Sequence, residues 1–344
     1  MNRQTYYLSF RMAGDWIITY DTLFFQFLVV GKSDFEDIVS SCQYVGNNYL
    51  LADRDVILKH YKLKQSKKDI AQLASIITTP LYACIEITRS CNLQCVYCYA
   101  SKEPVTNAFN LSELGHVIHN APFLMGITIT GGEPFLCRDL EKILSFCQKE
   151  SMIVTIDTNG TLLNSKIDAA LLEILKLPNM NLKLSLDSID PNINNALRGQ
   201  GTDVLSSIKK LRQIGICVRI NTVITSLNIS SLDHIARFLL DNRIENWALL
   251  RLVTNREPSL AQFSVPKDYE IQVVTDIVCK YQGKIKIDYN RKKSEYSLLL
   301  ITCDGFYSLP GSRNRILGNI SNTNLKDIWQ KVEIVSHIVR YLGD

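Results

Sequence analysis

The sequence predicts an α/β protein built on a partial (βα)6 TIM-like barrel, with a small α+β module before it and an α/β extension after it. Three observations carry this expectation. From about residue 81, six short β-rich runs alternate with helical segments, the pattern of a parallel sheet. Within the runs, apolar and polar residues alternate, so each strand has two unlike faces. The most unusual loop sequences all follow the C-terminal ends of the runs, at the rim where barrel sites are built.

The six runs are "LYACIEI" (81–87), "GITIT" (126–130), "MIVTID" (152–157), "LKLSLD" (182–187), "ICVRINTVI" (216–224) and "WALLRLV" (247–253). Between them stand "LSELGHVIHNA", "DLEKILSFCQKE", "SKIDAALLEILK", "VLSSIKKLRQIG" and "SLDHIARFLLDN", each with helical spacing of its apolar residues. In the fourth run Leu182, Leu184 and Leu186 oppose Ser185 and Asp187. In the fifth Val218, Ile220 and Ile224 oppose Cys217, Arg219 and Asn221, and in the first Ala83, Ile85 and Ile87 oppose Tyr82, Cys84 and Glu86. Ordinary parallel strands are apolar on both faces. A polar inner face costs stability unless it surrounds a ligand or satisfies itself by hydrogen bonds, and the first of these is the expectation here: a cavity.

Residues 1–80 read as a separate module. "WIITY-DT-LFFQFLVV" looks like two strands joined by a tight polar turn, "SDFEDIVSSC" has a helix-start signature, and "YLLADRDVILKHYKLKQSKK" is a further strand or helix. Its basic end, with Lys59, Lys62, Lys64, Lys67 and Lys68, is either a solvated face or a site for an anionic partner. The tail, residues 256–344, carries a helix around 266–282, then a hairpin, a loop and a closing helix. The boundaries expected are thus 1–80, 81–255 and 256–344.

Bulk properties exclude several classes. The chain has 344 residues, 46% apolar and 21% charged, and is long enough for a large core in two or three units. A net charge of +4 is too small to argue for nucleic acid or an anionic membrane. The early apolar run "LFFQFLVV" (23–30) is too short to span a bilayer and no cleavage site follows it, so the cytoplasm is the expected compartment. Ten cysteines in a chain of this size do not make a secreted disulfide scaffold; most are scattered singly in apolar runs, as buried free thiols would be.

Three of the ten are different. "ITRSCNLQCVYCYA" (87–100) places Cys91, Cys95 and Cys98 within eight positions, as Cys-x3-Cys-x2-Cys. Thiolates suit zinc and iron–sulfur clusters, but structural zinc wants a fourth Cys or His nearby, and none lies between residues 85 and 115. Three thiolates on a four-iron cube would leave one iron open. Zinc and inert thiols remain the alternatives on spacing alone. The loop follows the first strand; "GGEP" (131–134) follows the second, "TNG" (158–160) the third, "SLD" (185–187) ends the fourth, and Asn221 lies near the end of the fifth. The glycines would let backbone approach a ligand, and Glu133 could receive an ammonium group.

"CNLQCVYC" with "GGEP", "TNG", "SLD" and "ALRG" resembles the radical S-adenosylmethionine superfamily over roughly residues 81–255. The resemblance implies one [4Fe-4S] cluster on Cys91, Cys95 and Cys98, whose open iron chelates S-adenosylmethionine. It implies that Gly131, Gly132 and Glu133, with Pro134, hold the methionine amino end, that Thr158, Asn159 and Asp187 line the same site, that Ser185 and Asn221 lie near the ribose, and that Arg198 pairs with the carboxylate. Cleavage would give a 5′-deoxyadenosyl radical that takes a hydrogen atom from a substrate. Such an oxygen-sensitive enzyme would need an external electron donor of the flavodoxin or ferredoxin type.

The tail, "ITCDGFYSLPG" with "LGNI" and "LKDIW", is similar to the SPASM/twitch-like extension of peptide-modifying members, the maturases of ribosomally made peptides (RiPPs). It departs from that pattern: Leu309 stands where a cysteine is expected, no Cys-x-x-Gly precedes Leu298, and Cys303 is the one cysteine after Cys279. One thiolate cannot hold an auxiliary cluster, so the extension reads as degenerate. The implied substrate is a precursor peptide whose leader segment pairs with a winged-helix-like module in residues 1–80, and the implied product is a cross-link or an epimerised residue. Epimerisation needs a hydrogen donor, for which Cys303, Cys84 and Cys217 are the candidates, each also readable as a small buried hydrophobe. The alternatives are a member acting on a small metabolite or cofactor precursor, and a non-catalytic metal-binding protein.

Overall fold

The computed structural model describes residues 5–23, 27–46, 48–61, 76–98, 109, 111–199, 203–254, 258–289, 299–308 and 316–331. Expectations resting on Lys62, Lys64, Lys67, Lys68, Leu298 and Leu309 lie outside these residues.

All six anticipated barrel strands form, as β6 (Tyr82–Thr88), β7 (Gly126–Gly131), β8 (Ile153–Thr158), β9 (Met180–Ser185), β10 (Val218–Ile224) and β11 (Asn246–Arg251). They pair in sequence order, all parallel. The sheet is larger than six strands. β12 (Lys286–Tyr289) continues it in parallel beyond β11, and β13 (Leu299–Ile301) pairs in parallel with β6 on the other side. β14 (Phe306–Ser308) and β15 (Gly318–Asn319) follow antiparallel, so the ten-stranded sheet stays open between β12 and β15. The tail therefore extends the barrel sheet and does not form a layer of its own. β12 has no counterpart in the sequence reading because "KIDY", although it alternates, is only four residues long.

The alternation seen in sequence is the alternation of burial. β10 alternates strictly between buried and half-buried residues. Val218, Ile220 and Ile224 join Leu182, Leu184, Ile127, Ile129, Val154 and Ile156 in one apolar core under the outer helices. Those helices are α3 (Leu111–His119), α4 (Leu140–Lys149), α6 (Ala169–Leu175), α8 (Val204–Gln213) and α9 (Leu232–Asp241). "SKIDAALLEILK" is not one helix: α5 (Leu163–Lys166) stops before Asp168, whose carboxylate accepts from the Leu171 N–H at 2.9 Å and starts α6 anew. α7 (Pro191–Arg198) was not anticipated, although Asp190 at its N-cap followed by Pro191 is a start signal. The tail helix forms as α10 (Lys267–Tyr281) and the closing helix as α11 (Leu325–Lys331).

The first module is a five-stranded antiparallel sheet in the order β3-β2-β1-β5-β4, from β1 (Thr5–Ala13), β2 (Trp16–Asp21), β3 (Phe27–Gly31), β4 (Gln43–Gly46) and β5 (Tyr49–Asp53). Two helices complete it, α1 (Lys32–Val39) and α2 (Arg54–Tyr61). "YLLADRDVILKHY" is therefore a strand followed by a helix. β2 and β3 pair as expected, but five residues separate them in place of a two-residue turn.

This module covers the base of the barrel, the end where its strands begin. Tyr7, Ile18, Tyr20, Val29 and Tyr49 pack with Tyr82, Met125 and Ile153, each at the start of a barrel strand, and with Trp329. Arg11 donates to the carbonyls of Pro122 and Leu124 at 3.0 and 2.5 Å. Asn246 donates to the Leu23 carbonyl at 2.9 Å. With the base covered in this way, the loops that follow the C-terminal ends of the barrel strands lie at the opposite rim.

Candidate active site

The cysteine loop follows β6 at that rim and is held from two sides. On the β7 side, Gly132 N–H donates to the Thr88 carbonyl and Glu133 N–H to the Ser90 carbonyl, both at 2.7 Å. A Cβ on Gly131 or Gly132 would run into the backbone of Thr88, Arg89 and Ser90. These glycines therefore admit the backbone of the cysteine loop itself.

Glu133 is fully buried. Its carboxylate accepts from Phe135 N–H at 3.1 Å, Thr158 Oγ1 at 2.7 Å and Asn159 N–H at 2.8 Å. Burial raises its pKa and these three hydrogen bonds oppose the rise. The group expected to receive an ammonium is thus turned inward and binds "GGEP" to "TNG". Asn159 passes the connection on, its Nδ2 donating to Asn92 Oδ1 at 2.9 Å within the cysteine loop, and Asn92 donates to Thr161 Oγ1 at 2.8 Å. Pro134 and Thr158 are buried in the same brace.

On the β9 side, Val96 N–H donates to the Leu197 carbonyl at 2.9 Å, and the Cys95 thiol lies 3.7 Å from the Arg198 carbonyl. The side chain of Tyr97, between the second and third cysteines, donates to Asp187 Oδ2. Arg198 Nη1 reaches Tyr97 Oη at 2.7 Å and Asp187 Oδ2 at 3.3 Å. Asp187 Oδ1 accepts from Val223 N–H at 2.8 Å. Sequence reasoning assigned no role to Tyr97; its place inside the cysteine motif was the available signal.

Between the clamps, Cys91 and Cys98 are exposed and Cys95 half-buried, all three as free thiols. Burial pushes the Cys95 thiol up to about 11, against the pull of the Arg198 guanidinium, and burial raises Cys91 as well. The three sulfurs lie near enough for their charges to oppose one another. Among the described residues, no three His, Cys, Asp or Glu side chains converge on a single-ion site. A cluster takes one thiolate at each iron corner and asks for no such convergence.

The lumen below the rim is organised in rows fixed by the strand register. Ser185, Asn221, Ala248 and Asp288 are level with one another across β9 to β12. One row down, by continuation of the same registers, Glu86, Thr130, Asp157, Lys183, Arg219, Asn246 and Lys286 run across the seven strands from β6 to β12. Lys183 pairs with Asp157 at 2.6 Å, and Asp288 lies 3.7 and 3.8 Å from Arg219 and Lys286. Burial and the neighbouring Arg219 push Lys183 down to about 8 even with Asp157 beside it. The polar inner face read from sequence is real. It is charged, and much of it pairs with itself.

On the rim row Asn221 Oδ1 is buried with no hydrogen-bond partner in the protein, as is Asn246 Oδ1 in the row below. An orphaned acceptor on the rim row fits a ligand that brings a hydroxyl or N–H donor. Soft thiols in a triad, a rim with this open acceptor, and rigid loops on both sides fit a cluster with a nucleoside held beside it.

The three candidate hydrogen donors separate clearly. Cys217 packs with the apolar cluster at the barrel base, where the first module sits. It is four residues before Asn221 on β10, about 13 Å below it at strand rise. Cys84 is equally far below Thr88 on β6, level with Thr128. Cys303 is near the rim: its thiol donates to Glu86 Oε1 at 3.0 Å, Arg89 Nε holds the same oxygen at 2.9 Å, and Arg89 Nη2 bonds both oxygens of Asp304 at 2.9 and 3.0 Å.

Comparison with known proteins agrees with this geometry. The Radical SAM superfamily model matches residues 85–239. The antilisterial bacteriocin subtilosin biosynthesis protein AlbA of Bacillus subtilis is 29% identical over 172 residues, 47% of this chain and 37% of AlbA. An S-adenosylmethionine-dependent nucleotide dehydratase of Selenomonas ruminantium is 34% identical over 182 residues, 49% of this chain and 64% of that protein. The chain thus spans about a third to two thirds of those two relatives. Among solved structures, Streptococcus suis SuiB bound to its precursor peptide SuiA superposes with a TM-score of 0.68 at 18% identity, covering 96% of this chain and 88% of SuiB, a likeness of fold. The radical SAM family uses a [4Fe-4S] cluster together with S-adenosylmethionine. With its cysteine loop clamped at the rim of an open parallel barrel, residues 85–239 of this chain are a radical SAM domain.

Proposed function

We propose that this radical SAM enzyme takes a hydrogen atom from a ribosomally made peptide, leaving a cross-link or an epimerised residue. The observation that carries this reading is the five-stranded sheet beneath the barrel. Its outer strands are β3 and β4. β4 exposes Tyr44 at 57% and Val45 at 48%, apolar side chains on a strand edge. An extended peptide adds to such an edge by main-chain hydrogen bonds, with side-chain pockets giving selectivity. The likeness of fold to SuiB, whose solved complex holds a precursor peptide, extends over this module and supports the reading. The likeness to AlbA, a bacteriocin biosynthesis protein, supports it too.

In this reading residues 1–80 hold the leader segment, residues 81–255 carry the chemistry, and residues 256–344 complete the lumen wall. Cys91, Cys95 and Cys98 hold the [4Fe-4S] cluster, which supplies the electron that splits S-adenosylmethionine homolytically. Gly131, Gly132, Glu133, Thr158 and Asn159 fix the loop from one side, and Asp187 and Arg198 from the other. Ser185 and Asn221 face the nucleoside. The charged row beneath them receives the reacting residue of the substrate, and Cys303 is the thiol placed to return a hydrogen atom. Electrons come from a flavodoxin- or ferredoxin-type donor in the cytoplasm.

The test is anaerobic incubation of the reconstituted chain with S-adenosylmethionine, dithionite and the short peptide encoded beside its gene. 5′-Deoxyadenosine together with a peptide altered by mass or chirality supports the reading. Deoxyadenosine with an unaltered peptide sinks it. A second reading, a nucleotide or other small metabolite as substrate, is favoured by the 34% identity to a nucleotide dehydratase. Turnover of a nucleoside triphosphate in the same assay would establish it instead.

A further inference from the structure

Asp187 and Arg198 form an ion pair directly behind the cysteine loop, with side chains 0% and 8% exposed. The resemblance to the family would give Arg198 to the methionine carboxylate of S-adenosylmethionine. The structure gives its Nη1 to Tyr97 and Asp187. Asp187 is committed as well: Oδ1 to Val223 N–H, Oδ2 to Tyr97 and Arg198, and its main-chain carbonyl to Asn228 Nδ2 at 2.9 Å. The Asp187 carboxylate and the Arg198 Nη1 are thus bound to each other and to the loop. The pair faces the second cysteine, whose sulfur is 3.7 Å from the Arg198 carbonyl and whose neighbour Val96 is tied to Leu197.

We propose that Arg198 and Asp187 are positioning residues that set the charge around Cys95, and through it the reduction potential of the group bound by the cysteine triad. The proposal rests on the reading that this group is a [4Fe-4S] cluster. Its physical basis is short. The potential of such a cluster follows the net charge, hydrogen bonding and exposure of its surroundings. Buried charges act at low effective dielectric and are little screened. Reduction adds one electron, so a nearby cation favours it and a nearby anion opposes it. The Arg198 guanidinium and the Asp187 carboxylate both meet the Tyr97 hydroxyl, two residues from Cys95 and one from Cys98, so both charges stand beside the loop that would hold the cluster. The two members of the pair therefore act with opposite signs, and Tyr97 holds the loop against both.

The experiment is an EPR-monitored redox titration of the anaerobically reconstituted full chain, with dithionite as reductant and no nucleotide present. Arg198→Gln leaves the Asp187 carboxylate uncompensated and lowers the potential. Asp187→Asn leaves the guanidinium uncompensated and raises it. A shift of about tenfold in the reduction equilibrium, about 59 mV for one electron, is expected in each direction. Arg198→Lys keeps the charge and stays within twofold of the parent. Tyr97→Phe keeps both charges and moves the potential least. Shifts of the same sign, or below twofold, overturn the proposal, because a loosened loop has no reason to move the two variants apart. Arg198→Gln with an unchanged potential and weakened S-adenosylmethionine binding overturns it in favour of a carboxylate partner. Failure of both charge variants to retain iron also counts against it, since the pair's part would then be structural alone. If the parent chain itself assembles no cluster, it is the cluster reading that fails, a result separable from all of these.

Discussion

Gly132→Ala is the sharpest probe of the clamp on the cysteine loop. A methyl group at this position meets the Ser90 carbonyl and the Arg89 carbonyl, backbone atoms that cannot rotate away as a side-chain end could. To make room, the two segments must separate, and the 2.7 Å hydrogen bonds from Gly132 to Thr88 and from Glu133 to Ser90 go with them. Each is worth about 1 kcal/mol net, and overpacking of this kind costs about 1–3 kcal/mol. The loss expected is about 3–5 kcal/mol, a large share of the roughly 5–15 kcal/mol available to a folded domain. Urea unfolding measures it, with iron content after anaerobic reconstitution as the local readout. Gly115→Ala on α3 is the control: its added methyl would lie 3.4 Å from the Phe146 ring, and alanine is the better helix former by about 1 kcal/mol. The reasoning is refuted if Gly132→Ala unfolds within about 0.5 kcal/mol of the parent and binds iron normally.

Other expectations follow from single contacts. His60 is fully buried, its Nε2 2.6 Å from Thr19 Oγ1, and burial lowers it from 6.5 to about 4. The unfolded chain therefore takes up a proton first, and stability present above pH 6.5 is lost as pH falls towards 4, by about 3 kcal/mol in all; urea midpoints that do not fall between pH 7 and pH 4.5, or that fall equally in His60→Gln, would contradict this. If the reaction is epimerisation, Cys303→Ala should cleave S-adenosylmethionine yet lose product at least about tenfold, while Cys84→Ala and Cys217→Ala stay within about twofold; chiral analysis of the peptide decides. Asn221→Ala removes the orphaned rim acceptor without touching a clamp, so S-adenosylmethionine should bind about tenfold more weakly, about 1.4 kcal/mol, with iron content unchanged.

The barrel was legible because its strands are amphipathic. Leu182 and Leu184 against Ser185, or Val218 and Ile220 against Arg219 and Asn221, carry period-two information that burial reproduces. Length, not pattern, hid the shortest strand: in β12 Ile287 and Tyr289 pack on the core while Lys286 and Asp288 face the lumen, but four half-buried residues are too few for that alternation to signal a strand. The site was legible by position and less so by role. Gly131, Gly132, Glu133, Asp187 and Arg198 all stand where the motifs place them, but a sequence does not say which way a carboxylate turns. Glu133 and Asp187 turn inward to accept from backbone N–H groups that must be satisfied once buried, those of Phe135 and Asn159 in the rim loops and that of Val223 near the end of β10. Asn221 Oδ1 stays open in part because Ala248, level with it on β11, offers no side-chain donor.

The placement of the first module sets a constraint on any peptide it holds. The module covers the base of the barrel through Tyr7, Tyr20 and Tyr49 against Tyr82, Met125 and Ile153. The cysteine loop and Asn221 are at the other end. β8 and β9 are each six residues long, so the wall between the two ends is about 20 Å high at strand rise. A peptide paired to β3 or β4 must cross that height outside the sheet before it can turn into the rim. At no more than about 3.6 Å per extended residue, six residues is the least spacer that reaches. Shortening the segment between the bound leader and the altered residue below about six residues should therefore abolish modification while leaving the affinity of the leader unchanged. Mass spectrometry and a binding isotherm on the same truncated peptides test the two halves separately. Modification that survives a two-residue spacer would mean that the module does not hold the leader at the barrel base.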